Sequence, residues 1–122
     1  MPPLVLIIED EKILAESMSI YLGHHGYTTA VVHAGEDGIR LAAEASPDVA
    51  VVDVRLPGID GLEVLTKVRE VSPGTEVIMA TAYASVGSAA EAMRRGAFDY
   101  LSKPLDLAAL RLVVDKALAH RV

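Results

Sequence analysis

Several apolar segments of this chain end in a residue that is able to do polar chemistry. The first such segment is followed by Glu9 and Asp10, and the third by Asp53. The fourth leads into Thr81, and the fifth is followed closely by Lys103. Carboxylates avoid burial unless a partner compensates their charge, so an acid at the end of a core segment requires an explanation.

Phosphoryl transfer is the chemistry that these side chains predict. Three carboxylates brought together repel one another, and a hard divalent cation would supply the compensating charge. Oxygen ligands favour magnesium or calcium, and three carboxylates are too few for a dedicated calcium cage. Beside Mg²⁺, Asp53 would attack a phosphoryl group and hold it as an acyl phosphate. Lys103 would neutralise a phosphoryl oxygen, and Thr81 would donate a hydrogen bond to one.

The elements that must position these residues alternate along the chain. Short β-branched or aliphatic segments are predicted strands, and stretches with helical periodicity lie between them. This alternation predicts one α/β domain, built on an open, doubly wound parallel sheet with five strands and five helices. Ligands of such sheets bind beyond the carboxyl ends of the strands. The predicted strands are residues 4–8, 27–32, 48–52, 76–80 and 98–101.

The fourth predicted helix, at about residues 86 to 95, is short. Ser85 and Ser88 are equally good candidates for its N-cap, and Gly96 suits the position after its last turn. Gly87 near its start lowers its intrinsic stability relative to alanine. Met93 within it is predicted to be buried in the core, where methionine fills irregular gaps. This helix is therefore predicted to be the element most easily shifted.

Composition excludes several classes of function. The chain has 122 residues with a net charge of −6, and its 11 basic residues are scattered, which argues against direct binding of nucleic acid. It contains no cysteine, as suits a cytosolic protein. The opening apolar run, Leu4 to Ile8, is too short for a membrane span or a signal peptide. We expect a cytoplasmic domain without contact to a membrane.

Four motifs resemble those of the receiver domain of bacterial two-component response regulators. The resemblance covers nearly the whole chain, and the last motif is most similar to receivers of sigma-54-dependent transcription activators. It implies a flavodoxin-like sheet with strand order 2-1-3-4-5, and a receiver domain at residues 1–122 that is the N-terminal part of a longer regulator. The motifs are "LIIEDE" at 6–11, "DVRLPGIDG" at 53–61, "TA" at 81–82 and "GAFDYLSKP" at 96–104.

The resemblance also implies a metal site next to the phosphoacceptor. Asp53 would accept the phosphoryl group and bind Mg²⁺, and Mn²⁺ would be able to substitute. Asp10 would bind the ion directly, and Glu9 would act mainly through a bound water. The backbone carbonyl of Arg55 would complete the protein ligands. Glu9 stands where aspartate is commoner in the family.

The same resemblance implies how the phosphoryl group is held and sensed. Thr81 and Lys103 would contact phosphoryl oxygens, and Lys103 would precede a cis peptide bond to Pro104. Tyr100 would turn inward when Thr81 moves. Arg55 and Tyr83 occupy positions that are associated with the lifetime of the acyl phosphate.

The implied partners are a donor and an output. A sensor histidine kinase would supply the phosphoryl group, and an output domain on the same chain, of the AAA+ sigma-54-activator type with a DNA-binding domain, would respond. A homodimer through the face formed by the fourth helix, fifth strand and fifth helix is also expected. The domain would be a phosphoacceptor switch and not an enzyme with turnover on a separate substrate.

Three other functions share part of this pattern. A flavodoxin-like flavin or nucleotide binder needs a Gly-, Ser- or Thr-rich loop after the first strand, where this chain has "EDE". A phosphohydrolase with an aspartyl nucleophile would have a second aspartate two residues on, at the position of Arg55. A phosphorylation-independent interaction domain would not need the full set of acids, hydroxyl and lysine.

Overall fold

The computed structural model describes residues 2–121, and within them strands and helices alternate throughout. Each strand is followed by a helix, as the sequence predicts. The third strand continues one residue further than predicted, so that Asp53 is its last residue. The elements are β1 (Leu4–Ile8), α1 (Lys12–His24), β2 (Thr28–Val32), α2 (Gly35–Ala45), β3 (Val49–Asp53), α3 (Gly61–Val71), β4 (Glu76–Thr81), α4 (Val86–Arg94), β5 (Asp99–Ser102) and α5 (Leu107–His120).

The five strands form one parallel sheet in the order β2-β1-β3-β4-β5. Both the predicted fold class and the predicted strand order are confirmed. The central strand β3 is buried along its whole length, which explains why its sequence is a continuous apolar run. At its end Asp53 pairs with Ala80 of β4, and one position further along Thr81 pairs with Ser102 of β5. The carboxyl ends of these strands therefore lie side by side.

Side chains that alternate along the strands form two separate apolar clusters, one on each face of the sheet. On one face Val5 and Ile7 of β1 pack with α1 and α5. On the other face Leu6 and Ile8 pack with α2, α3 and α4. Both faces are thus covered by helices, as a doubly wound sheet requires.

Capping residues define where the helices near the site start and end. Asp60 caps α3, because its carboxylate accepts a hydrogen bond from the Glu63 N–H at 3.0 Å. Of the two candidates for the cap of α4, the structure uses Ser85, whose Oγ accepts from the Ser88 N–H at 3.0 Å. Gly96 follows α4 with a φ of +97°, which favours glycine.

Gly61 at the start of α3 is required by a close approach of the backbone. A Cβ atom at this position would lie 2.0 Å from the carbonyl oxygen of Asp53 and 2.6 Å from the Cα of Val54. Both neighbours are backbone atoms, which cannot move aside as a side chain can. Glycine therefore allows α3 to pack directly behind the strand end that presents Asp53.

Met93 does not lie in the core as predicted. Its side chain is 49% exposed, whereas Met79 of β4 is fully buried. The only residue of α4 that is buried, within the described chain, is Ala92. The less exposed residues of α4 include the small Ser88, Ala89 and Ala92, and Met93 lies on the exposed side of the helix.

The C-terminal end of α5 is fixed near the amino-terminal ends of the strands, on the side of the sheet opposite to the strand end that carries Asp53. The guanidinium of Arg121 pairs with Asp48 at 2.7 Å and donates to the Gly74 carbonyl at 2.7 Å. His120 Nδ1 lies 2.5 Å from a carboxylate oxygen of Glu76. Among residues 2–121, no helix is both long enough and apolar enough to cross a lipid bilayer.

Candidate functional site

The predicted site residues do meet at the carboxyl edge of the sheet. Glu9 follows β1, Asp53 ends β3 and Thr81 ends β4, and all three side chains are buried. Asp10 is exposed at the rim. Lys103 reaches the same place from the segment after β5, where its peptide bond to Pro104 is cis, as the family resemblance implies.

Glu9, Asp10 and Asp53 form an acidic cluster. One carboxylate oxygen from each lies within 4.8 Å of the others. This donor set consists of oxygen alone, and the exposed position of Asp10 leaves one side open to water and ligands. Mg²⁺ binds through a few carboxylates while it keeps several waters, so these residues fit that ion.

The ammonium group of Lys103 lies between three carboxylates. Its Nζ is 2.7 Å from Glu9, 3.0 Å from Asp53 and 3.0 Å from Glu11. The Lys103 side chain is only 7% exposed, and those of Glu9 and Asp53 are buried as well. The lysine therefore offsets the repulsion within the acidic cluster.

Burial and charge shift the ionisation of this group in opposite directions. Burial, with a smaller contribution from the Asp53 charge, raises the pKa of Glu9 to about 7, although hydrogen bonds from Lys103 and from the Glu11 N–H oppose the shift. Burial alone would lower the pKa of Lys103, but its hydrogen bonds to the three carboxylates outweigh that effect and raise the pKa above its ordinary value. Lys103 is thus a stable cation at neutral pH.

Backbone and side-chain contacts orient Asp53. One of its oxygens accepts a hydrogen bond from the Arg55 N–H at 3.0 Å, and the other faces Lys103. The guanidinium of Arg55 lies over the ring of Tyr83, 4.2 Å from its centre. Arg55 and Tyr83 border an open cavity of about 340 Å³ above Asp53. A small phosphoryl donor therefore has room to approach the carboxylate.

Thr81 and Tyr100 lie on the side of the site that faces α4. The Thr81 Oγ1 accepts a hydrogen bond from the Tyr83 N–H at 3.0 Å. The half-buried Tyr100 of β5 packs against the cluster shared with α4, and its hydroxyl is hydrogen-bonded to the Ser88 hydroxyl of that helix. Tyr100 thus connects the sheet directly to the start of α4.

A model of a known family matches most of this chain. The model describes the response regulator receiver domain, and it matches residues 5–115. The chain belongs to this family. The family predicted from the motifs is confirmed.

Curated relatives of this receiver domain include two bacterial regulators. Regulatory protein AtoC of Escherichia coli is 40% identical over 114 residues, which are 93% of this chain and 25% of that protein. Transcriptional regulatory protein ZraR of Salmonella typhimurium is 34% identical over 116 residues, which are 95% of this chain and 26% of that protein. The chain thus spans about a quarter of the length of these relatives.

Solved structures of receiver domains share the fold. A CheY-like response regulator receiver domain protein of Methanospirillum hungatei superposes with a TM-score of 0.96 and 26% identity, covering 99% of this chain and 97% of that one. The receiver domain of Francisella response regulator 1452 has a TM-score of 0.90 and 29% identity, covering 97% and 98%.

Sequence reasoning about this receiver domain did not find two contacts. Glu11 has no partner that the sequence predicts, whereas the structure pairs it with Lys103, 92 residues away. Ser88 was considered only as a cap, and its hydroxyl contacts Tyr100. The only signal for either contact was proximity in the sequence to a predicted site residue.

Proposed function

We propose that Asp53 accepts a phosphoryl group from a sensor histidine kinase and that the resulting change of shape controls an output domain. The observation that carries this proposal is the position of Asp53. Its carboxylate ends the central strand, faces Lys103 at 3.0 Å and borders an open cavity beside two further acids. An inert surface aspartate has no need for such surroundings.

The reaction proceeds by in-line displacement at phosphorus. One Asp53 oxygen forms a bond to phosphorus while the bond to the donor atom breaks, and the donor leaves with its electron pair. When bound, Mg²⁺, or Mn²⁺ in its place, would neutralise charge on the acids and on the phosphoryl oxygens. Asp10 and Asp53 would hold the ion, with Glu9 through a water and with the backbone carbonyl of Arg55.

Lys103 and Thr81 contact the phosphoryl oxygens in this proposal. Lys103 pairs with Asp53 before the reaction and additionally contacts a phosphoryl oxygen after it, so its positive charge stabilises the charge that moves. Thr81 exchanges its present partner, the Tyr83 N–H, for a bond in which its hydroxyl donates to the phosphoryl group. These roles make the domain an acceptor that assists its own modification, with slow loss of the phosphoryl group to water.

The signal would leave the site through Tyr100 and α4. Movement of Thr81 toward a phosphoryl group vacates space beside Tyr100, which then turns inward and gives up its bond to Ser88. This releases the start of α4 and changes the face formed by α4, β5 and α5. We propose that this face mediates homodimerisation or contact with the output domain.

The relatives support a role in transcription regulation. AtoC and ZraR are named as regulatory proteins, and this chain corresponds to about a quarter of each. We infer that residues 1–122 are the receiver part of a longer cytoplasmic regulator. Its output would be a sigma-54-type AAA+ activator with a DNA-binding domain, while the acidic receiver itself would contact neither DNA nor membrane.

Mass spectrometry after incubation with acetyl phosphate tests the proposal. We expect a single phosphoryl adduct on the native chain that requires Mg²⁺, and none on Asp53→Asn. The matched control is Asp37→Asn, which removes an exposed carboxylate from α2 and should leave the adduct unchanged. An undiminished adduct on Asp53→Asn would exclude Asp53 as the acceptor.

A further inference from the structure

Glu11 stands at the entrance of the site, between the acidic cluster and solvent. Its backbone N–H donates to a carboxylate oxygen of Glu9 at 3.1 Å, and its own carboxylate lies 3.0 Å from the Nζ of Lys103. The Glu11 side chain is 62% exposed, so it reaches inward from the surface of the molecule. It borders both the cavity above Asp53 and the neighbouring cleft formed with Leu14 and Pro104.

The hydrogen-bonding capacity of Lys103 is already filled in this arrangement. An ammonium group has three N–H donors, and the three carboxylates of Glu9, Asp53 and Glu11 each lie within 3.0 Å of its nitrogen. A phosphoryl oxygen therefore gains a bond from Lys103 only if one carboxylate gives up its own. The rate of phosphorylation depends on which carboxylate is released and how easily.

Exposure identifies Glu11 as the carboxylate that is released. The side chains of Glu9 and Asp53 are 2% and 6% exposed, so neither can turn into water if it gives up its bond to Lys103. Asp53 must also remain beside the incoming phosphorus, because it is the nucleophile. Glu11 can rotate into water, where its charge is fully solvated, so its release has the lowest cost.

We propose that Glu11 is a positioning residue that slows phosphorylation of Asp53 by holding Lys103 in its unreacted position. The inference rests on the proposed function and concerns the same site. In the reaction with acetyl phosphate, an Asp53 oxygen bonds to phosphorus as acetate leaves with its electron pair. Lys103 then redirects the hydrogen bond of one N–H from Glu11 to a phosphoryl oxygen. The ion pair with Glu11 therefore slows phosphorylation.

The test compares the initial rate of adduct formation, with acetyl phosphate and Mg²⁺, in Glu11→Gln and in the native chain. This variant keeps the side-chain length and the N–H that donates to Glu9, and it removes the charge that competes for Lys103. We expect a rate about two- to five-fold above native, the factor that corresponds to losing one exposed ion pair. The control is Glu16→Gln, which removes the same charge from an exposed position on α1 and should keep the native rate.

A second measurement separates an effect through Lys103 from a general effect of charge. The Nζ and Cε nuclear magnetic resonance signals of Lys103 should shift in Glu11→Gln and stay unchanged in Glu16→Gln. A native or reduced rate in Glu11→Gln overturns the inference, and so does a faster rate with unmoved Lys103 signals. If the native chain itself forms no adduct, the proposed function fails and the inference fails with it.

Discussion

At the scale of single residues, Lys103 connects the acids of the site to one another. Its ammonium group contacts Glu9 and Asp53, both buried, and Glu11 at the surface. The raised pKa of Glu9, about 7, reflects how incompletely this charge compensates the burial of a carboxyl group. In the absence of a metal ion, the same lysine therefore contributes to stability as well as to the proposed reaction.

We expect Lys103→Met to fold but to be less stable than the native chain by about 1–3 kcal/mol without Mg²⁺, because two buried acids lose their charged partner. Protonation relieves the repulsion, so the deficit should be larger above the Glu9 pKa of about 7 than below it. Urea unfolding at both pH values measures this. Mg²⁺ should stabilise the variant more than the native chain, since an ion that binds the folded state replaces the missing charge.

The control for this experiment is Lys67→Met, which removes an exposed lysine 3.9 Å from Glu70 on α3. Exposed ion pairs contribute little, so this change should cost less than about 1 kcal/mol at either pH. A Lys103→Met variant as stable as Lys67→Met would contradict the structural role of Lys103.

At the scale of elements, the two ends of α4 are held differently. Its start is joined to the sheet by the pair of hydroxyls from Ser88 and Tyr100. Just past its end, Arg95 donates to the Leu62 carbonyl at 3.1 Å and to the Thr66 hydroxyl at 3.2 Å, both on α3. Arg95 also pairs with Glu91 at 2.8 Å. The end of α4 is therefore fixed to α3 by several polar contacts, whereas its start is joined to the sheet by one hydroxyl pair, so we expect the start to move more easily.

Removal of the Arg95 guanidinium, which anchors the end of α4 to α3, should loosen α4 without unfolding the domain. We expect Arg95→Met to increase amide hydrogen exchange over residues 86 to 95, because the helix loses its polar contacts to α3 and retains one buried residue, Ala92. Arg94→Met is the neighbouring control, since Arg94 pairs with Glu91 on the exposed surface and should change exchange much less. Equal exchange in the two variants would show that Arg95 is not the anchor.

The sequence predicted the position of the site better than its side-chain contacts. Continuous apolar runs identify buried parallel strands, and the residues that end these runs must share one edge, so Asp53 and Thr81 could be placed in advance. The contacts of Glu11 and Arg95 link flexible side chains to residues 92 and 33 positions away. The periodicity of the sequence does not specify such contacts, because they depend on the positions that α1 and α4 take in the folded domain.

At the scale of the whole molecule, the site lies at the carboxyl ends of the strands, and the C-terminal end of α5 is fixed near their amino ends. Arg121 binds Asp48 and the Gly74 carbonyl, next to the starts of β3 and β4. A change at the proposed phosphoryl site is thus expected to move α4 and most of α5, while Arg121 just beyond α5 stays in place.

Beryllofluoride, a mimic of the phosphoryl group, tests this response in the whole domain. With Mg²⁺, we expect signals along residues 86 to 118 to shift in the native chain and in Thr81→Ser, which keeps the hydroxyl, but not in Thr81→Ala. Sedimentation should show self-association in the same two proteins. A coupling of about 1–3 kcal/mol is typical of such two-state systems. Shifts confined to the surroundings of Asp53 would contradict the proposed switch.

The two apolar clusters on opposite faces of the sheet have a consequence for how this protein can diverge. Substitutions that lie far apart and share no neighbours combine additively in their effect on stability. A change among the residues packed under α1 and α5 therefore places little constraint on the residues packed under α2, α3 and α4. We therefore expect the two sets of core residues to tolerate substitution largely independently of each other.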